Sequence, residues 1–364
     1  MARLHEFLRG LRVVDLSRYL PGPLASLLLV DLGAEVVKVE PPGGEPMRQL
    51  GPRTADGQGA WHAALNAGKR IVELDLATGA GRDALLDLLA GADVLIESFR
   101  PGVMARLGLA FPMLRERFPR LVCVSLSGYG QDGPLAQAAG HDNNYLAQAG
   151  LLAGVGPAPE VPTLVWPPLA DCLGSMFGLS ALLAALLARE RSGQGCHIDI
   201  ALADVASPWL TLGLASLAAG EPPRRAQGLL DGGWACYGIY RTADGREVSL
   251  GAVEPKFWAA FCQAAGRPDW IARQDEPLPQ QALRAEVAAF FAGLSAEDLE
   301  RRFAGVDCCL ARVLTLEEAC ASAHAQARQL VRRGQDGGLQ ALFPAWVDGA
   351  PPEARGAMRR GEPG

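Results

Sequence analysis

Three side chains have the types that proton transfer at carbon needs. His141 lies in Ala-Gly-His-Asp-Asn-Asn-Tyr (Ala139–Tyr145), Asp171 heads a long apolar helical pattern, and Glu254 precedes a proline in Gly251–Phe257. Histidine is scarce, five in 364 residues, so one wedged between glycine and aspartate draws notice. A histidine backed by one carboxylate and facing another suits moving a proton at a carbon acid. Each residue also has a local role open to it. Asp171 stands where an N-cap belongs before Cys172–Arg191, an end that also offers amide donors to an oxyanion. Glu254 precedes Pro255, a good first helical residue, and fits a cap there. His141 fits a turn.

The elements that must hold these groups alternate between strand and helix. Strand signals fall at Leu11–Leu16, Glu35–Glu40, Arg70–Asp75, Val94–Ser98 and Leu121–Ser127. Helices are predicted at Pro21–Leu32, ended by Gly33, and at Gly79–Ala90, closed by Gly91. Such alternation predicts an α/β fold, a parallel sheet covered by helices. Cys172–Arg191 is the strongest helix, followed by a strand at His197–Ala201 and a helical stretch over Asp204–Ala219. Glu221-Pro-Pro-Arg-Arg breaks the pattern as a linker. Cys236–Arg241 and Glu247–Ala252 then read as a hairpin around Ala243-Asp-Gly-Arg, with helices near Pro255–Ala265, Gln281–Leu294 and Ala296–Ala304. The expected division is a large α/β domain over 1–222, a smaller α+β domain over 223–306, and a return segment over 307–364. The Pro-, Gly- and Arg-rich tail from Gly349 is expected to be mobile.

Composition narrows the function. A net charge of −6 with no basic stripe argues against nucleic acid as partner. Eight scattered cysteines form no CxxC pair and no Cys/His cluster, so no metal is expected and the thiols read as reduced, in a cytoplasmic protein. The polar N-terminus lacks an apolar signal core. The longest apolar run, Met176–Ala188, is too short for a bilayer and reads as a buried helix, so no membrane is expected. No phosphate loop and no Gly-x-Ser-x-Gly elbow occurs. Gly128-Tyr-Gly-Gln-Asp-Gly-Pro reads by spacing as a turn-dense loop.

Together, segments from about Leu8 to Arg333 resemble CoA-transferase family III, the CaiB/BaiF superfamily, and within it the α-methylacyl-CoA racemase branch. Superfamily features are Leu11-Arg-Val-Val-Asp-Leu, Asp31-Leu-Gly-Ala-Glu-Val-Val-Lys-Val-Glu-Pro-Pro-Gly-Gly, Ser98-Phe-Arg-Pro-Gly, Ser127-Gly-Tyr-Gly-Gln-Asp-Gly-Pro and Arg191-Ser-Gly-Gln-Gly. Racemase-like features are Gly140-His-Asp-Asn-Asn-Tyr, Leu230-Asp-Gly-Gly with Tyr240-Arg-Thr-Ala-Asp-Gly, Gly251-Ala-Val-Glu-Pro-Lys-Phe and Phe303-Ala-Gly-Val-Asp-Cys-Cys.

The resemblance implies a Rossmann-like large domain, a smaller α+β domain and an interlocked homodimer. It implies that His141, supported by Glu254 from the second subunit, and Asp171 act as two bases on opposite faces of a 2-methylacyl-CoA thioester in lipid metabolism. Coenzyme A enters as part of the substrate, and no further cofactor is required. Arg100 would lie near the phosphates, Asp142 and Tyr145 at the pantetheine thioester end, and the backbone near Leu74 and Leu76 along CoA. By itself Arg100 also fits an ion pair with Glu97.

The chain departs from the racemase pattern in places. Asp171-Cys-Leu-Gly-Ser-Met has fewer glycines than racemases carry, and Pro41 stands where a basic residue is common. Leu310-Ala-Arg-Val replaces a stretch that commonly holds proline. The rival is a CoA-transferase with Asp171 as nucleophile. A third reading is a silent homologue that only binds acyl-CoA.

Overall fold

Short valine-rich runs such as Arg12-Val-Val-Asp and Val94-Leu-Ile-Glu suit strands buried on both faces. The computed structural model describes residues 3–329, 331–335 and 337–361. In it β1 (Arg12–Asp15), β2 (Glu35–Glu40), β3 (Arg70–Glu73), β4 (Val94–Glu97), β5 (Val122–Ser127) and β6 (His197–Ala201) form one parallel sheet. Their order is β3-β2-β1-β4-β5-β6, with Val13 opposite both Val36 and Val94. This is the doubly wound order. It reverses direction between β1 and β4 and opens a crevice at the carboxyl ends of the strands there.

Helices cover both faces. On one, helices Pro21–Asp31 and Leu169–Ser192 bury Leu28, Leu29, Leu179, Leu182 and Leu186 against Val13, Val36, Val94 and Val124. On the other, Leu85, Leu89, Met104 and Leu114 pack on Val14, Leu95 and Cys123. The long helix begins at Leu169, after Pro167-Pro168, three positions ahead of the sequence expectation. By length and apolarity alone its 24 residues would suffice to cross a membrane, yet one face is buried in this core. Gly174 allows its close approach, because a Cβ there would lie 2.3 Å from Leu202 Cδ2.

The described chain divides into two compact units. One lies within Met1–Ala149, Trp166–Trp209 and Cys320–Gly364, the other within Gly150–Val165 and Leu210–Ala319. The break thus falls at Trp209, ahead of the Glu221–Arg225 linker, and the return at Cys320 instead of residue 307. In the second unit β7 (Tyr237–Arg241), β8 (Glu247–Gly251) and β9 (Leu310–Arg312) form an antiparallel sheet. It packs on an aromatic core of Trp258, Phe261, Trp270, Phe291 and Phe303.

In the first unit β10 (Val331–Arg333) and β11 (Leu339–Ala341) form a hairpin, and β12 (Arg359–Arg360) runs parallel beside β3 as a seventh strand. The tail expected to be mobile is therefore packed up to residue 361; its last three residues lie outside the described ones. The reason is an ion pair that no local reading sees. Arg355 is buried and donates from Nε and Nη2 to the two oxygens of Asp31, each at 2.6 Å.

Candidate active site

The loops leaving β1, β4 and β5 enclose a cavity of about 400 Å³ at the strand-order reversal. Arg18 and Tyr19 reach it from β1, Arg100 from β4 and Gly128 from β5. His141, Tyr145 and Asp171 complete the wall.

His141 occupies the N-cap position of helix Asp142–Gln148 with extended backbone. Its N–H donates to Asn144 Oδ1 at 3.0 Å, which closes the first turn and leaves the residue exposed. The next residue, Asp142, reaches across to the long helix, where its Oδ1 accepts the Asp171 N–H at 3.1 Å. Asp171 is therefore not the cap expected from sequence. It sits in the helix's first turn and is itself capped by Asp142. Of the amides at this helix start, which the sequence reading offered to an oxyanion, that of Asp171 is engaged by Asp142. The same bond ties the residue after His141 to Asp171. Burial first, and then the neighbouring Asp142 charge, push the Asp171 carboxyl from an ordinary 3.8 up to about 7.

Tyr145 is buried, and its hydroxyl donates to the Gly140 carbonyl at 2.5 Å. Desolvation, followed by the Asp171 charge, lifts the phenol to about 12, so it stays a donor at neutral pH. The ring lies edge-on to Tyr129, centroids 5.2 Å apart. A Cβ on either flanking glycine would intrude: at Gly128 it would come 2.7 Å from Tyr145 Oη, and at Gly140 2.7 Å from Tyr145 Cε1. The glycines of the turn-dense loop and of Ala139-Gly-His are thus the seat of this ring. Sequence reading missed that role, although both stood in motifs already singled out.

Arg100 lines the cavity, and among the described residues it forms no ion pair with Glu97. Glu97 instead accepts the Phe99 N–H at 2.7 Å, and burial raises its carboxyl to about 7. Leu74 and Leu76 do not reach the cavity. Leu74 is buried in the core under the other sheet face and donates its N–H to Glu40 O at 2.9 Å. The Leu76 carbonyl accepts from Arg82 at 3.3 Å. Glu254 belongs to the second unit, at the N-cap position of helix Pro255–Ala264. Its side chain makes no capping bond, and the residue is exposed.

Comparison with known proteins bears on this arrangement. The model of CoA-transferase family III matches residues 8–363. The α-methylacyl-CoA racemase of Homo sapiens is 35% identical over 329 residues, covering 88% of this chain and 81% of its own length. A probable fatty acyl-CoA transferase of Mycobacterium tuberculosis, Rv3272, is 38% identical over 295 residues, covering 76% of this chain and 73% of its own. Among solved structures, a CaiB/BaiF family protein from Brucella suis superposes with a TM-score of 0.85 at 28% identity, covering 96% of this chain and 95% of that one. Racemases and transferases therefore match at similar levels. With its Rossmann-order sheet and cavity at the strand reversal, the chain belongs to CoA-transferase family III and is an enzyme of that CoA-transferase and racemase superfamily.

Proposed function

We propose that the protein racemises 2-methylacyl-CoA thioesters by a two-base 1,1-proton transfer. The observation that carries this reading is that His141 and Asp171 border the same cavity, with the Asp171 carboxyl held near 7. A base at that value exchanges protons readily at neutral pH, as reversible transfer in both directions requires. In one direction the Asp171 carboxylate takes the α-proton, the thioester becomes an enolate, and the His141 imidazolium returns a proton to the other face. In the reverse direction the roles exchange. Glu254 would come from the partner subunit to orient His141 and stabilise its charged form. Its exposed side chain, which makes no capping bond, supports that role. Helix Thr211–Ala218 supports a second copy of the chain, since it buries none of its residues and exposes Leu212, Leu214 and Leu217. Arg100 would meet CoA phosphate and Tyr145 the thioester end. No cofactor beyond the substrate's CoA enters this scheme.

A CoA-transferase is the second reading, favoured by the 38% identity to the mycobacterial transferase. Asp171 would then attack the thioester carbonyl, release CoA thiolate and form an acyl anhydride. A carboxyl near 7 is partly protonated at neutral pH, which suits an acid–base group better than a nucleophile. Incubation of (R)- and (S)-2-methylacyl-CoA in deuterium oxide separates the two. Racemisation predicts deuterium at C2, with His141→Ala cutting exchange by about 10²–10⁴. No exchange across a panel of thioesters, together with CoA moving to a free carboxylate and hydroxylamine trapping acyl on Asp171, would replace this proposal with the transferase.

A further inference from the structure

Tyr19 has a left-handed backbone, with φ of +63°, a conformation costly for a bulky side chain. It lies in the loop that joins β1 to helix Pro21–Asp31, and every segment of that loop is tied down. Ser17 N–H donates to Asp15 at 2.8 Å, and Lys38 Nζ donates to the Ser17 carbonyl. Arg18 N–H donates to Ser98 Oγ at 2.9 Å. Tyr19 N–H donates to Glu45 Oε2 at 3.1 Å. Ser175 Oγ donates to the Pro21 carbonyl at 2.7 Å and contacts the Asp171 carbonyl at 2.9 Å. The last two contacts fasten the Tyr19 end of the loop to the turn of helix that carries Asp171, while Arg18 faces the Ser98–Arg100 side.

The charges beneath this loop are buried. Asp15, Lys38, Glu40, Glu45, His62 and Lys69 are all at most 2% exposed. Glu40, Glu45 and His62 bring ligand atoms within 4.8 Å of one another, but Lys38 lies 3.6 Å from Glu45 and Arg48 2.6 Å from Glu40. Cations of the chain itself thus already answer those carboxylates, and the cluster reads as scaffold. Among the described residues Glu45 Oε1 has no hydrogen-bond partner and is met only by the ion-pair contacts of Lys38 at 3.6 Å and His62 at 3.7 Å. Its other oxygen, among the described residues, accepts from the Tyr19 amide alone and holds it in the strained conformation. Glu45 makes no contact with the cavity, whereas Tyr19 is 43% exposed and lines it.

We propose that Tyr19 is a specificity-determining residue for the acyl end of the thioester, and that Glu45 is the positioning residue that holds its ring in the cavity. The inference rests on the acyl-CoA reading but not on the choice between racemase and transferase. Its test is therefore binding without turnover. Calorimetric titration with a thioether analogue of 2-methyldecanoyl-CoA, and separately with bare CoA, is carried out on the wild type, Tyr19→Gly, Tyr19→Ala and Glu45→Ala. All three variants should bind the thioether roughly ten-fold more weakly while bare CoA binds within about two-fold of wild type. Tyr19→Gly should also melt at the same or a higher temperature, because glycine relieves the left-handed strain. A ring that merely props the fold would lower it. Should Glu45→Ala fail to fold, the glycine variant decides alone. Unchanged thioether affinity in Tyr19→Gly, equal losses for both ligands, or a fall in melting temperature each overturn the assignment. A wild type that binds neither probe overturns the acyl-CoA reading and this inference with it.

Discussion

Replacing Asp171 with asparagine should stabilise the protein, and by an amount that grows with pH. The carboxyl titrates near 3.8 in the unfolded chain and near 7 in the folded one, chiefly through burial and then through Asp142. Between those values the folded state keeps a proton that the unfolded state has lost. Stability present below about pH 4 is therefore lost as pH rises to about 7, at about 1.4 kcal/mol per pH unit. Across the window this comes to roughly 2–4 kcal/mol. Asparagine fills the same space and does not titrate, so the variant escapes the loss. Calorimetric melting of both proteins from pH 4 to 8.5 reads the effect. The two should nearly coincide at pH 4, separate steadily to pH 7 and run parallel above it. Proton exchange at C2 should vanish in the variant throughout. A constant difference over the whole range would mean that Asp171 ionises like a surface carboxylate, and the argument for a base poised near neutrality would fall.

Gly140→Ala places a Cβ against the buried Tyr145 ring and the Tyr129 hydroxyl, so it should cost about 1–3 kcal/mol and weaken acyl-CoA binding, seen by melting and titration. Arg355→Ala leaves Asp31 buried without its guanidinium. Stability should drop by about 3–5 kcal/mol, more at pH 8 than at pH 4, and limited proteolysis should then open the segment after residue 341. Glu254→Gln should slow C2 exchange at least about ten-fold while leaving the melting temperature nearly unchanged, because the residue is exposed and its side chain makes no capping bond. An unaltered rate in that variant would remove Glu254 from the mechanism.

The alternating pattern of strands and helices was legible because parallel strands buried on both faces are written as short apolar runs. Each of the six expected strand runs of the first unit lies within two residues of an observed strand. The order in which those strands sit side by side has no local signal, since it depends on how each helix crosses. Asp171 shows the limit at the site. A carboxylate at a helix start reads as a cap, and what displaces that reading is Asp142, 29 residues earlier. Nothing local marks Lys38 and Lys69 for burial, yet both are fully buried beside Asp15. Burial works against the Asp15 carboxylate, but the two lysines hold it below the ordinary range. The tail misled for the same reason. Proline and glycine suggest mobility, while the partner that pins Arg355 lies 324 residues away.

The first unit is stitched from three separate stretches of chain, with the second unit inserted between them. During synthesis, residues 210–319 leave the ribosome as one nearly continuous block and can close their aromatic core at once. The earlier sheet must wait with β3 bare along one side until Arg359 and Arg360 arrive. Asp31 stays without its counter-ion for the same interval. Closing of the large unit is thus governed by Arg355, Arg359 and Arg360, which are made only after the whole of the block 210–319.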